Sequence, residues 1–115
     1  MDTVYNTPTG KAGYIVYNSF HQSALEYSRV FNRFAAEGVN DLIVDLRYNG
    51  GGYVDLQEKL ANYIINSSAN GGVMMSQIYN NNHSGENSTS SFSKSGFSFS
   101  EQGVFYSKQQ YRICK

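Results

Sequence analysis

Apolar and polar positions over the first two-thirds of the chain follow two periods. Residues 13–20 (Gly-Tyr-Ile-Val-Tyr-Asn-Ser-Phe) are rich in β-branched and aromatic side chains and predict a strand. Ser23 and Glu26 then stand in the Ser-x-x-Glu pattern of a capping box, in which the hydroxyl caps an amide and the Glu reaches back. Leu25, Tyr27, Val30, Phe31, Phe34 and Ala35 recur at helical spacing, and Gly38 falls where a left-handed residue ends a helix. Residues 42–46 (Leu-Ile-Val-Asp-Leu) predict a strand buried on both faces, as in a parallel sheet. Residues 13–46 therefore read as a β-α-β unit, expected to cross over right-handed.

A second helix is predicted from Val54, with Leu56, Leu60, Ala61, Ile64 and Ile65 on one face and Asp55 in the first turn. Asn70, Gly71 and Gly72 break the chain, and residues 73–79 predict another strand. The character then changes. Of the 21 residues 80–100, 12 are Ser or Asn, which predicts a long loop or disordered excursion. Phe92, Phe97 and Phe99 interrupt it, enough for an irregular hairpin, and residues 104–106 suggest one last short strand.

With 115 residues the chain allows one small domain. Its formal charge is zero, so bulk electrostatics favour neither nucleic acid nor an anionic membrane. No apolar run approaches the roughly 20 residues of a membrane span, and the first residues have neither the basic nor the apolar region of a signal peptide. The single cysteine, Cys114, has no partner for an internal disulfide, and no Cys/His cluster has zinc spacing. His21 reads as a surface or capping residue. His83 lies in the polar stretch and Cys114 next to the last residue, neither with an orienting partner nearby in sequence. Asn82-His-Ser and Asn87-Ser-Thr match glycosylation sequons, as so Asn/Ser-rich a stretch does by composition.

Chemistry concentrates between the second strand and the second helix, in Arg47-Tyr-Asn-Gly-Gly-Gly-Tyr53. Glycines let a backbone approach a ligand and adopt positive φ, and a helix start adds free N–H groups and a partial positive charge. Such a turn can stabilise an oxyanion in acyl transfer or hold a phosphate. The phosphate reading is weaker, because neither the Gly-x-x-x-x-Gly-Lys-Ser/Thr nor the Gly-x-Gly-x-x-Gly pattern is present. The bland alternative is a tight strand-to-helix connection that binds nothing. Asp45 and Arg47 point to one face of an extended strand, so an ion pair bracing the turn is expected. No Gly-x-Ser-x-Gly elbow occurs.

The strand at 13–20, the helix after it, and Asp-Leu-Arg-Tyr-Asn-Gly-Gly-Gly at 45–52 followed by a helix resemble the carboxyl-terminal processing (tail-specific) serine proteases. The likeness covers residues 3–79 well and the remainder in outline, and is closest to secreted or periplasmic members from Bacteroidetes-type bacteria. It implies an α/β fold, part of a crotonase/Clp-protease-like catalytic domain with β-α-β units. It also implies peptide or protein C-termini as substrates of the parent enzyme, a periplasmic or extracellular compartment, and no cofactor or metal. In that family a serine attacks the peptide carbonyl and a neutral lysine is the general base. One oxyanion amide comes from the glycine turn. Carried over, the donor is Gly51 or Gly50, with Gly51 favoured, while Asp45, Arg47, Asn49 and Gly52 shape the turn.

The chain departs from the family at the other half of the chemistry. A Ser-Ala-Ser-Ala-Ser-Glu-like segment and a lysine some two dozen residues later are expected, but residues 104–115 read Val-Phe-Tyr-Ser-Lys-Gln-Gln-Tyr-Arg-Ile-Cys-Lys. Ser107 and Lys108 are neighbours, which on a strand point to opposite faces. The expectation is a fragment, cut at both ends from something longer, that has the oxyanion turn, lacks the dyad and is inactive alone. The alternative is a non-catalytic module for a peptide or apolar ligand, like the related interphotoreceptor retinoid-binding modules. As a truncated sheet it would self-associate as a homo-oligomer through its open edge.

Overall fold

The structure, a computed structural model, describes residues 1–96. β1 (Asp2–Thr7) and β2 (Gly10–Val16) form an antiparallel hairpin. α1 (Ala24–Ala36) follows, and β3 (Asp41–Asp45) returns parallel to β2, giving the sheet order β1-β2-β3. The expected β-α-β unit is therefore present, in an α/β fold. The first strand begins and ends earlier than 13–20, and β1 adds an antiparallel partner that the pattern did not announce.

One sheet face carries the core. Ile15, Leu42 and Val44 point from it onto Tyr27, Val30, Phe31 and Phe34 of α1 and Leu56 and Leu60 of α2 (Val54–Ile64). Each aliphatic or Phe side chain among them contributes about 1.5–3 kcal/mol by leaving water, whereas Tyr27 also buries a hydroxyl that has no hydrogen-bond partner among the described residues. Gly13 allows α1 to sit close, because an added Cβ would lie 2.8 Å from the Phe34 ring. The expectation that the second strand is buried on both faces is corrected. Leu42 and Val44 are buried, but Ile43 between them is 40% exposed. Among the described residues the helices cover one face only, so β3 alternates as a half-buried strand does.

The ends of α1 show which local signals hold. Ser23 caps it, its Oγ accepting from the Leu25 amide at 3.2 Å. The reciprocal half of the capping box is absent, because the Glu26 carboxylate is held by Arg29 instead. Gly38, at φ +70°, closes the other end as expected. Its N–H reaches the Ala35 carbonyl and that of Val39 reaches Phe34, the paired bonds of a Schellman cap.

Residues 66–96 form a second, smaller unit. β4 (Val73–Gln77) pairs antiparallel with β5 (Ser88–Ser91) in a separate two-stranded sheet, bridged by a short 3₁₀ segment, Asn81–Glu86. The stretch expected as a loop thus contains helical turns and a strand. Polar bonds hold this unit to α2: Ser90 Oγ donates to Glu58 at 2.5 Å, the Ser93 amide to Asn62 Oδ1 at 2.8 Å, and Lys94 Nζ to the Tyr63 carbonyl at 2.7 Å. The expected features at Phe97, Phe99, residues 104–106, Ser107, Lys108 and Cys114 lie outside the described residues. Among the described residues no helix is long and apolar enough to cross a membrane.

Candidate functional site

β3 ends at Asp45, and the glycine turn begins there. The Asp45 carboxylate accepts from Arg47 Nη2 at 2.7 Å, from Arg47 Nε at 3.0 Å, from the Arg47 amide at 3.1 Å, and from the Tyr14 hydroxyl at 2.7 Å. The Arg47 guanidinium first, then the Tyr14 hydroxyl and the Arg47 amide, hold the Asp45 carboxyl well below its usual range. The same bond to Asp45 raises the Tyr14 phenol. Asp45 and Arg47 thus make the ion pair expected of them. Tyr14, one strand away on β2, completes it.

Asn49 ties the turn inward. It is 2% exposed. Its Nδ2 donates to the Tyr17 carbonyl and its Oδ1 accepts from the Gly51 amide, both at 2.8 Å. The Gly50 amide donates to the Asn18 carbonyl at 3.0 Å. The N–H groups of Gly50 and Gly51, the two candidate oxyanion donors, are therefore both engaged within the protein in this geometry. They build the turn.

Gly52 is placed differently. Phe20 N–H donates to the Gly51 carbonyl at 2.8 Å and Tyr53 N–H to the Phe20 carbonyl at 2.9 Å, so Phe20 and Gly52 form a parallel bridge. The residue between two such bonded peptide groups turns its own N–H and C=O to the other side. The Gly52 amide is thus aimed away from Phe20, is exposed, and has no hydrogen-bond partner among the described residues. Only glycine fits here: φ is +142°, and an added Cβ would lie 2.5 Å from the Phe20 carbonyl oxygen. α2 starts two residues later, with Tyr53 as N-cap and no side-chain cap, so the dipole adds positive potential beside that amide.

Aromatic groups surround the turn. Tyr48 is 81% exposed and lies 6.0 Å from the Arg47 guanidinium. Tyr53 is 62% exposed and meets the His21 ring edge-on at 5.3 Å. His21 is at the surface, as expected, but Ser23 does the capping. His83 belongs to the β4–β5 connection, bonded to Glu86 at 3.0 Å. Among the described residues no group of three or more His, Cys, Asp or Glu is placed to hold a metal ion. Sequence reasoning missed Tyr14, Asn18 and Phe20. The two backbone contributors, Asn18 and Phe20, carry no side-chain signal. Tyr14 shares a sheet face with Asp45, which shows only once the register is known.

The family model for peptidase family S41 matches residues 11–110. No curated protein matches the chain. Among solved structures it is similar to the crystal structure of a Bacteroides fragilis protein described as an S41 protease, with a TM-score of 0.71 and 24% identity, over 77% of this chain and 25% of that one. At that identity the likeness is one of fold, and the chain spans about a quarter of that protein's length. Taken with the strand, glycine turn and helix above, the match over 11–110 means that the chain belongs to peptidase family S41, the family of the carboxyl-terminal processing proteases.

Proposed function

We propose that this chain is the part of a carboxyl-terminal processing serine endopeptidase that supplies one arm of its oxyanion hole, and that this arm is the amide of Gly52. The observation that carries the reading is the outward Gly52 N–H at the start of α2, which has no partner among the described residues. A peptide carbonyl accepting from it gains most when the oxygen becomes an oxyanion, and one such donor is worth about 10²–10³ in rate. Gly51, favoured from the sequence, serves instead with Asn49 to fix the turn. Asp45, Arg47 and Tyr14 brace its entry.

The attacking serine and its lysine base are not supplied by these 115 residues, which hold no Ser-Ala-Ser-Ala-Ser-Glu-like segment. The chain alone is therefore inactive as a peptidase. The test is an NMR titration of the ¹⁵N-labelled chain with an acetylated extended hexapeptide, with hydrolysis followed in parallel. A shift of the Gly52 amide without cleavage is expected. No shift of Gly52 at high peptide concentration overturns the oxyanion reading. Cleavage that Ser107→Ala abolishes overturns the inactivity.

A second reading, a binding module that self-associates through its sheet edge, draws on β3. Among the described residues that strand pairs with β2 alone, and it exposes Ile43. A monomeric mass by light scattering at high concentration would remove it.

A further inference from the structure

Tyr53 stands at an N-cap, where Ser, Thr, Asp or Asn stabilise a helix best, and it makes no side-chain cap. The fold gives no reason for a large, mostly exposed ring there. The bridge between Phe20 and Gly52 shows where that ring is directed. Side chains alternate along extended backbone. Phe20 enters the core, so the next residue on each arm of the bridge, His21 and Tyr53, faces the opposite side, toward solvent. There the two rings meet edge to face at 5.3 Å with an interplanar angle of 71°.

We infer that the His21–Tyr53 pair is a side-chain platform of the peptide site, selecting an aromatic or long aliphatic side chain beside the carbonyl held by Gly52. This rests on the Gly52 reading above. A peptide that pairs with the outward N–H and C=O of Gly52 adds a strand in the plane of the bridge. Its side chains then stand alternately above and below that plane, and those above rise beside the two rings, at the spacing of cross-strand neighbours. The rings offer apolar surface with aromatic edges and faces. Flat or long apolar groups complement that surface, and an acidic side chain loses by covering it.

The test compares three acetylated hexapeptides, identical except for Phe, Ala or Glu at one central position, each titrated into the ¹⁵N-labelled full chain. The Phe peptide is expected to shift the Gly52 amide and the His21 and Tyr53 ring resonances together, and to bind about 2- to 12-fold more tightly than the Ala peptide. His21→Ala and Tyr53→Ala are expected to remove that preference while the Gly52 shift persists, which also shows that the variants fold. Tyr53→Phe is expected to keep it, since the ring and not the hydroxyl makes the surface. Equal binding of all three peptides with static ring resonances, or tightest binding of the Glu peptide, overturns the platform and leaves the Gly52 reading standing. No Gly52 shift with any peptide overturns both.

Discussion

The sheet with its two helices and the β4–β5 hairpin belong to one chain but are held by different forces. In the first, every buried side chain lies between Ala12 and Leu60, and twelve apolar residues form a single cluster. In the second, no described residue is buried, and Val73, Ile78 and Tyr79 face water. Hydrogen bonds donated by Ser90, Ser93 and Lys94 to Glu58, Asn62 and the Tyr63 carbonyl of α2 hold it in place. Apolar burial scales with area and tolerates little rearrangement. Hydrogen bonds contribute little net free energy where water can replace a partner, and regions held mainly by them, with little buried apolar area, open at low cost. The glycine turn stands at the end of the first region, so its amides are positioned by the stiffer part of the molecule.

The contrast breaks most visibly under truncation. Phe34→Ala removes a ring from the centre of the core and is expected to cost about 3–5 kcal/mol. Ile78→Ser, on the hairpin, should stay within about 0.5 kcal/mol of the parent. Urea denaturation followed by circular dichroism measures both, and comparable losses would mean that the hairpin shares the core's stability. A smaller effect separates two asparagines that each accept from a backbone amide. Asn49→Ala leaves the Gly51 N–H and the Tyr17 carbonyl without their partner inside the protein, at about 1–3 kcal/mol. Asn62→Ala leaves the Ser93 amide to water, at less than about 1 kcal/mol, and should speed hydrogen exchange in residues 88–93 alone. Faster exchange throughout the sheet after Asn62→Ala would join the two regions into one cooperative unit.

The smallest effect lies at the entry to the turn. Arg47, Tyr14 and the Arg47 amide hold the Asp45 carboxyl below its ordinary 3.8. Because the folded value lies under the unfolded one, this contribution to stability is fully present above the unfolded value and is lost as pH falls through the folded one. Tyr14→Phe removes one donor and is expected to move the Asp45 midpoint back toward 3.8, read from its carboxyl carbon by NMR. An unchanged midpoint would assign the whole effect to Arg47.

Periodicity revealed what periodicity builds. The α1 stripe, its Ser23 and Gly38 ends, the second strand and α2 were all legible, because each buries an apolar face against the same core. β1 was not. Of its six residues only Val4 packs on the core, and Asp2 is held by Arg29 and Arg33 of α1, a long-range arrangement without local pattern. β5, four Ser and Thr residues, owes its place to pairing with β4 and to Glu58. At the turn the sequence pointed to the glycines and to the Asp45–Arg47 pair. It did not show which N–H is left outward, because the carbonyls of Asn18 and Gly51 and the backbone of Phe20 decide that, and backbone groups are the same in every residue.

The closeness of Gly13 to Phe34 carries a consequence for how this sequence can drift. The ring fills the place where a side chain at position 13 would stand. Any heavier residue at 13 arrives in occupied space, and any smaller one at 34 leaves a hole beside a glycine that cannot fill it. Each change alone meets a penalty that the other would relieve. The two positions, 21 residues apart in the chain, are therefore coupled, and alanine at 13 with leucine at 34 is the kind of joint substitution in which the smaller side chain on the helix makes room for the added methyl on the sheet.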